Sequence, residues 1–517
     1  MLLSCHNSCL YYIILLVIID FEFLTLVIFH KLQITTSFTP NTYMNNQMTI
    51  TCLPRELIGL VSNSLYISDA LSFGSTCWKF LQDMSKSDFG YHVSSKRVYL
   101  FNVVDPSCSF ARKKYVIGHF QHFIVSCTSQ LSHLPKDTKV VHFDRQFNSQ
   151  VGDISFLSNL THLTFGHSFD QSITNLVLPQ SLTHLKFGYS FNQPVDNLYL
   201  PSKLTYLRFG DKFYLSIEKI RLPKSLTYLR LGENSTTTAS KLVLPPCLTH
   251  LVIGTGLCRY IEELKLPPTL LYLRLGDFFN DSIDNLKLPS KLNHFRLGDF
   301  FNKSLDNISF PHTLTHLTFG CWYRQPVNKL CLPKNLTQLT FGFAFSGSID
   351  NLILPESLTH ITMSNFVNTP ITNFCRQVEK SRLTHLTIGS YEDYLLSKIK
   401  FPQSLTHLTF SDSFNQPIDH LTFPPHLTHL EFGTSFNQSL DSVKFPNTLI
   451  HLGFGTGFEK SLSNVNLPKS LRYLSFASRW YKIALSSFNL PNNTINVIIA
   501  GKPHYPYPYH SYNCYKS

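Results

Sequence analysis

The chain repeats one phrase at a period of 22 residues. Versions of Leu-x-x-Leu-x-Phe-Gly begin fifteen times between Leu160 and Leu471, and all but one of the intervals are 22 residues long. Prolines keep the same period, as at Pro179, Pro201 and Pro223. Such self-similarity predicts a solenoid, in which each repeat packs on its two neighbours and cannot fold alone.

Each copy is expected to contain one short strand. In Thr-His-Leu-Lys-Phe-Gly188 the alternation places Leu185 and Phe187 on one face and His184 and Lys186 on the other. The apolar pair therefore faces the core and the polar pair faces outward. We expect Gly188 to end the strand where the chain turns, because glycine tolerates turn conformations.

The rest of each copy leads the chain back to the next strand. Leu182, Phe191, Val195 and Leu198 are expected to complete the core, and Pro201 fixes the return turn. One copy cannot bury these side chains by itself, so the stability of the array must come from stacking.

The phrase of the return segment carries a family resemblance. Phe191-Asn-Gln-Pro-Val195 and Phe414-Asn-Gln-Pro-Ile418 show it most clearly. It resembles the FNIP repeat, a relative of the leucine-rich repeat, over residues 138–500. The resemblance implies a repeat solenoid of leucine-rich-repeat type with a parallel β-sheet on one face, preceded here by a small three-helix F-box-like module. The copies at 233–237 and 255–258 lack the Phe-Asn pair.

One interval departs from the period. Leu358 and Leu383 are 25 residues apart, and the three extra residues fall within 374–382, where the usual Leu-Pro is missing. We expect a loop there. Degenerate copies at 140–143 and 495–499 flank the array, and atypical end copies are expected to cover its terminal apolar faces.

Stacking turns each outward position into a column of side chains about 4.8 Å apart. The first column, at the position of His184, contains mostly His and Tyr. In the second column, at the position of Lys186, five of the six residues from Lys186 to Arg296 are basic. Because Tyr and Arg are enriched where protein interfaces carry their energy, we predict a target-binding face. Its residues are His184, Lys186, Tyr206, Arg208, Tyr228, Arg230, His250, Tyr272, Arg274, His294 and Arg296. The alternative is that recent duplications share these residues by ancestry alone.

The C-terminal half of the first column is a row of histidines from His360 to His451. Imidazoles bind zinc, copper or nickel, but a row without acids or thiols is more typical of a plain ladder, so no metal is expected. Charging stacked histidines places like charges side by side. We therefore expect the array to lose stability between pH 7.5 and 5.5.

Composition limits the partners. The chain has 44 Lys and Arg against 32 Asp and Glu, a net charge of +12, which favours an acidic protein target. Charge spread along an extended array does not indicate nucleic acid. The 12 cysteines form no CxxC pair. This predicts reduced thiols and a cytoplasmic or nuclear location, or the host cytoplasm for a viral chain.

The first 47 residues differ from the rest. A run of ten apolar residues covers 10–19, Asp20 and Glu22 interrupt it, and 23–29 continues it. Ten residues do not span a bilayer, and two acids within the longer stretch are costly there. Three interpretations remain open: a poor signal-anchor, an unusual helix, or sequence upstream of a start at Met44 or Met48.

Residues 48–88 are expected to form a compact helical module. Pro54 suits the first turn of a helix, and apolar residues then recur at helical spacing. The order of residues is similar to an F-box, the domain that docks on the Skp-type adaptor of cullin ubiquitin ligases. The resemblance implies that these adaptor-binding residues match the family pattern: Leu53, Pro54, Glu56, Leu57, Val61, Leu65, Asp69, Leu71 and Cys77. Gly59 and Gly74, both poor helix formers, depart from it. A generic helical cap is the alternative.

Residues 89–137 are expected to be a linker and N-terminal cap, and 501–517 a flexible tail.

No nucleophile–base pair, phosphate loop or zinc signature appears in the sequence, so we expect neither an enzyme nor a cofactor. The resemblances together imply a substrate-recruiting adaptor of a cullin-type ubiquitin ligase. A free-standing interaction scaffold and a membrane-anchored repeat-binding protein are the alternatives.

Overall fold

The computed structural model of the chain describes residues 98–100, 122–233, 235–258, 261–363, 371–389, 399–477 and 496–499. The apolar segment at 1–47, the F-box-like module at 48–88 and the tail at 501–517 lie outside these residues. The described residues fall into two compact units that divide between Gly210 and Asp211.

The first unit contains six described parallel strands that pair in chain order. They are β1 (Val98–Leu100), β2 (His122–Val125), β3 (Val140–Phe143), β4 (His162–Thr164), β5 (His184–Lys186) and β6 (Tyr206–Arg208). A 3-10 helix, Thr128–His133, connects β2 to β3. The parallel ladder thus includes strands that precede residue 138, where the repeat pattern begins, and the degenerate copy at 140–143 is one of its strands.

The second unit contains thirteen described parallel strands, again paired in chain order. They are β7 (Tyr228–Arg230), β8 (His250–Val252), β9 (Tyr272–Arg274), β10 (His294–Arg296), β11 (His316–Thr318), β12 (Gln338–Phe341), β13 (His360–Met363), β14 (His385–Ile388), β15 (His407–Phe410), β16 (His429–Phe432), β17 (His451–Phe454), β18 (Tyr473–Phe476) and β19 (Asn496–Ile499). The predicted parallel solenoid is confirmed. In the part of the chain that the structure describes, no helix has the length and apolar character needed to cross a membrane.

The core is built from columns of identical side chains. Leu182, Leu185, Phe187, Phe191 and Val195 are each at most 1% exposed, as the alternation predicts. Within one turn the two phenylalanine rings lie 4.2 Å apart, and the Phe187 ring stacks on its equivalents in both neighbouring turns at 5.3 and 5.4 Å. Offset stacking of this kind adds about 0.5–1.5 kcal/mol per pair to the burial of the rings.

The strand-ending glycine has a different role from the one predicted. A Cβ built on Gly188 would overlap the backbone carbonyl of Gly166, and one built on Gly210 would overlap that of Gly188. The φ angle of Gly188 lies outside the left-handed region, so the turn itself does not require glycine. Glycine is needed because consecutive turns bring their backbones together at this point.

The asparagine of the repeat phrase forms a second ladder. In the first unit the Asn148 side chain accepts a hydrogen bond from the backbone N–H of Asp170, one turn later, at 2.8 Å. Asp170 in turn accepts from the Asn192 N–H at 2.9 Å. In the second unit Asn415 accepts from the Asn437 N–H at 2.8 Å. The side chain thus satisfies a backbone donor that the irregular return segment leaves unpaired.

The three-residue insertion forms a helix, so the expectation of a loop is wrong. Helix α1 covers Thr372–Lys380 and buries Phe374, Cys375 and Val378. The carboxylate of Asp350, one turn earlier, accepts hydrogen bonds from the backbone N–H groups at the start of α1. A helix advances 1.5 Å per residue against about 3.3 Å for extended chain, so more residues are needed to cover the same return path.

The copies at 233–237 and 255–258, which have neither residue of the Phe-Asn pair, also depart from the regular turn. Short 3-10 helices occupy Ala239–Lys241, Thr255–Cys258 and Ile261–Glu263. The strands around them keep their register, with His250 opposite Tyr228 and Tyr272. The return segment therefore absorbs sequence variation while the strand face stays regular.

Candidate protein-binding surface

The outward side chains of the strands, here called the strand face, form stacked columns. In the second unit the rings of His360, His385, His407 and His429 stack at 4.0–4.1 Å between centroids. In the first unit His162 and His184 stack at 4.1 Å. The sequence pattern indicated exposed rings, but most of these rings are half-buried by their neighbours. The histidine column is therefore partly removed from water.

A threonine precedes most histidines of the column and fixes the ring. Thr406 donates its hydroxyl hydrogen to the backbone carbonyl of Thr384 at 3.0 Å, and its oxygen lies 2.9 Å from Nδ1 of His407. Because the hydroxyl hydrogen is already used, we assign Nδ1–H of His407 as the donor to Thr406. Nε2 is then an unprotonated acceptor. The same pairing recurs at His162, His184, His250, His316, His360, His385 and His429.

The neutral state of the histidine column follows from burial. Desolvation is the main cause that lowers the pKa of His407 to about 4, and the neighbouring histidines add to it. The pKa values of His316, His385 and His451 are also lowered to about 4, for the same main cause. Among the described residues, no group of three or more His, Cys, Asp or Glu side chains is arranged to hold a metal ion. The column is an array of neutral hydrogen-bond acceptors at neutral pH.

Three of the four arginines of the predicted target-binding face are held by aspartates. Arg274 lies 2.6 Å from Asp277 and Arg296 lies 3.6 Å from Asp299, each pair joining a strand to the turn that follows it. Arg230 pairs with Asp211 of the preceding turn at 2.5 Å. These three guanidinium groups are oriented rather than free.

The aspartate partners were not predicted from the sequence. The available signal was the Gly-Asp pair that follows the strand at 210–211, 276–277 and 298–299, in the part of the array where the second column is basic. The paired aspartates also offset much of the local positive charge, so the net charge of +12 is a poor guide to this surface.

A half-buried acid, Glu233, joins successive turns of this region. Glu233 accepts hydrogen bonds from the Thr255 hydroxyl at 2.7 Å and from the backbone N–H of Asp277 at 2.6 Å. Burial raises the pKa of Glu233, and the nearby Asp277 adds to the rise. Glu233 thereby links three successive turns at the place where two of them lack the Phe-Asn pair.

The predicted face divides between the two units. The first unit contains His184, Lys186, Tyr206 and Arg208, with His184 opposite Tyr206 and Lys186 opposite Arg208 on neighbouring strands. The second unit contains Tyr228, Arg230, His250, Tyr272, Arg274, His294 and Arg296. There His250 stacks with Tyr272 at 5.7 Å. The proposed adaptor-binding residues, Leu53 to Cys77, lie outside the described residues.

An aromatic ridge adjoins the strand face of the second unit and was not predicted from the sequence. The ridge consists of Phe278, Phe300 and Trp322, which occupy the same position in three successive turns. Phe278 and Phe300 stack at 5.0 Å, and Phe300 and Trp322 at 6.3 Å. The doubled phenylalanines at 278–279 and 300–301 were the signal, because the fold buries only the second of each pair.

A Ser–His–Glu cluster lies at the C-terminal end of the row of stacked histidines. Nε2 of His451 lies 3.5 Å from Glu431 and 3.4 Å from the Ser475 hydroxyl. In a hydrolytic triad the acid binds Nδ1 and the serine binds Nε2, whereas here both contact the same nitrogen. This geometry does not activate Ser475 as a nucleophile.

The short parallel strands, leucine columns and irregular return segments define a repeat protein of leucine-rich-repeat type. A model of the FNIP repeat matches residues 132–190, 191–234, 279–321, 323–366, 395–435, 414–457 and 436–479, which together cover slightly more than half of the chain. The chain therefore belongs to the FNIP repeat family.

Among solved structures, the chain is similar to CroV588, described as a novel circular leucine-rich-repeat protein, with 35% identity and a TM-score of 0.52. The match covers 74% of this chain and 60% of that one. It is also similar to YopM from Yersinia enterocolitica, at 19% identity and a TM-score of 0.31 over 69% of this chain and 73% of that one. An internalin from Listeria monocytogenes matches at 13% identity and a TM-score of 0.29, over 69% of this chain and 84% of that one. No curated protein matches the chain.

Proposed function

We propose that the chain is a protein-interaction scaffold and that the strand face of the second unit, from Tyr228 to Arg296, binds its target. The observation that carries this proposal is the set of oriented arginines beside stacked Tyr and His rings. Arg274 is only 13% exposed and is held by Asp277. A side chain that is already ordered loses little entropy on binding, and Tyr and Arg contribute most of the energy of many interfaces.

Site-specific crosslinking tests this face. A photo-crosslinking phenylalanine analogue is placed at Tyr272 on the strand face, and in a control at Val243, which is 84% exposed on the return segment. The proposal expects a discrete protein adduct from position 272 that position 243 does not give. Equal adducts from both positions, or none from position 272, would count against it.

We further propose that the chain recruits this target to a cullin-type ubiquitin ligase, through the F-box-like module at 48–88 and a Skp-type adaptor. The support is the sequence resemblance of that module together with its place before a binding array. In this role the chain binds, and other subunits supply the chemistry. A free-standing scaffold and a membrane-anchored binding protein remain the competing roles.

Co-purification separates these roles. The tagged full chain is expected to bring down a Skp-type adaptor and a cullin, and the double substitution Leu53→Ala with Pro54→Ala is expected to abolish both. Arg274→Ala is the matched control, because it lies in the array and should leave adaptor binding intact. If the full chain brings down neither protein, or if the double variant still binds them, the ligase role is wrong and the scaffold role stands.

A further inference from the structure

The aromatic ridge of Phe278, Phe300 and Trp322 is not required by the fold. Outside the ridge, wherever the structure describes the equivalent position, two residues after the strand-ending residue, it is small or polar. The sequence places Phe366 and Tyr391 at this position in two further turns, and both lie outside the described residues. In the described turns outside the ridge the position is occupied by Ser168, Ser190, Lys212, Gly256, Ala344, Ser413, Ser435 and Gly457. These turns keep the same parallel strands without an aromatic residue there. Three successive large rings at this position therefore serve something other than folding.

The ridge presents apolar surface to solvent. Phe278 is 58% exposed and Phe300 is 40% exposed. Their rings are nearly parallel, with interplanar angles of 9° between Phe278 and Phe300 and 11° between Phe300 and Trp322. The backbone N–H of each later ring residue donates to the turn before it at 2.8 Å, which fixes the spacing. A contiguous, ordered apolar patch of this kind marks an interaction site.

The charge around the ridge is uneven. Asp277 and Asp299, at its base, are paired with Arg274 and Arg296. At the Trp322 end, the guanidinium of Arg324 lies 5.5 Å from the centre of the indole ring. Arg324 is exposed, and none of the ion pairs among the described residues includes it. This end of the ridge therefore offers a cation with no carboxylate partner in the described structure.

We propose that the aromatic ridge docks a peptide segment of a partner protein that carries apolar side chains and a carboxylate, the carboxylate pairing with Arg324. Stacking covers the ring faces of Phe300 and leaves its edge exposed. Nucleic-acid bases bind aromatic faces, and the faces of Phe300 are covered by its two neighbours, so single-stranded nucleic acid fits less well. The inference rests on the proposed scaffold function and names the chemistry of its target.

The test uses the full chain and a displayed library of random 12-residue peptides. Peptides selected on the wild-type chain are then measured, as fluorescein conjugates, against the variant with Phe278→Ser, Phe300→Ser and Trp322→Ser. Serine already occupies this position in other turns, so the variant is expected to keep the native fold, with a thermal midpoint lowered only by the loss of the ring stacking. Tyr199→Ser, which removes a ring that is 90% exposed in the first unit, is the matched control.

The proposal expects selected peptides rich in apolar residues and in Asp or Glu, binding at least tenfold more weakly to the ridge variant but unchanged with Tyr199→Ser. Replacing the peptide Asp or Glu by its amide, or Arg324→Gln, should weaken binding severalfold. Three outcomes overturn it: selected peptides that bind the ridge variant within twofold, selection of Lys- and Arg-rich peptides, or ridge-dependent binding of a labelled oligouridine 20-mer. Ridge-dependent self-association in sedimentation also overturns it. If the crosslink at Tyr272 persists while the ridge variant binds normally, the scaffold function stands and this inference alone fails.

Discussion

At the scale of single residues, the strands show what a repeat pattern predicts and what it does not. The inward positions, such as Leu185 and Phe187, follow from alternation alone, and both are buried. The role of Gly188 could not be read from one copy, because the atom that excludes a side chain belongs to Gly166 in the preceding turn. The role of the Thr406 hydroxyl could not be read from one copy either. It bonds both to His407 in the same turn and to the backbone carbonyl of Thr384 in the preceding turn.

Replacing Gly188 by alanine should test the close backbone contact. Overpacking of this kind costs about 1–3 kcal/mol, so we expect Gly188→Ala to lower the free energy of unfolding by at least that amount in a urea titration. Gly152→Ala is the control in the same unit, because a Cβ there meets nothing within 4 Å. A loss at position 188 no larger than at position 152 would contradict the close-contact role.

At the scale of elements, strands were predictable and connections were not. Strand register follows from the 22-residue period, because a one-residue slip would place polar residues in the core. Helix α1 was missed because nine residues are too few for a convincing helical pattern, although Phe374 and Val378 lie four residues apart. The arginine–aspartate pairs were missed for a related reason, since they join a strand to a turn that alternation does not describe.

The stability of helix α1 should come from the packing of its buried side rather than from the helix propensity of its residues. Phe374 is fully buried, so Phe374→Ala is expected to destabilise the second unit by about 3–5 kcal/mol in chemical denaturation. Arg376→Ala, on the exposed side of the same helix, is expected to change stability by less than about 0.5 kcal/mol. Similar effects of the two substitutions would mean that the helix does not pack as described.

At the scale of the whole molecule, the histidine column links stability to pH. In the folded state the pKa of His316, His385, His407 and His451 is about 4, against about 6.5 in an unfolded chain. Between these values the unfolded state binds more protons, so stability is complete above pH 6.5 and falls as the pH drops toward 4. Glu233 and Glu431, whose pKa values burial raises, act in the opposite direction but are only two groups.

Acid sensitivity should therefore scale with the number of stacked histidines. We expect the urea midpoint to fall between pH 6.5 and 4, and to fall less steeply in a variant with His385→Gln, His407→Gln and His429→Gln. Glutamine is a suitable replacement because Gln338 already occupies this column. This is tested by measuring the urea midpoints of the wild type and the variant at half-unit pH steps. Parallel curves would show that other groups cause the acid sensitivity.

The insertion at α1 has a practical consequence for engineering. Although 25 residues separate His360 from His385, the two strands still pair in the same register as every neighbouring pair. Extra chain at this point leaves the strand face undisturbed. The exposed side of α1, around Arg376, is therefore a suitable place to graft a fluorescent label or an affinity epitope, so that occupancy of the opposite surface can be followed without altering it.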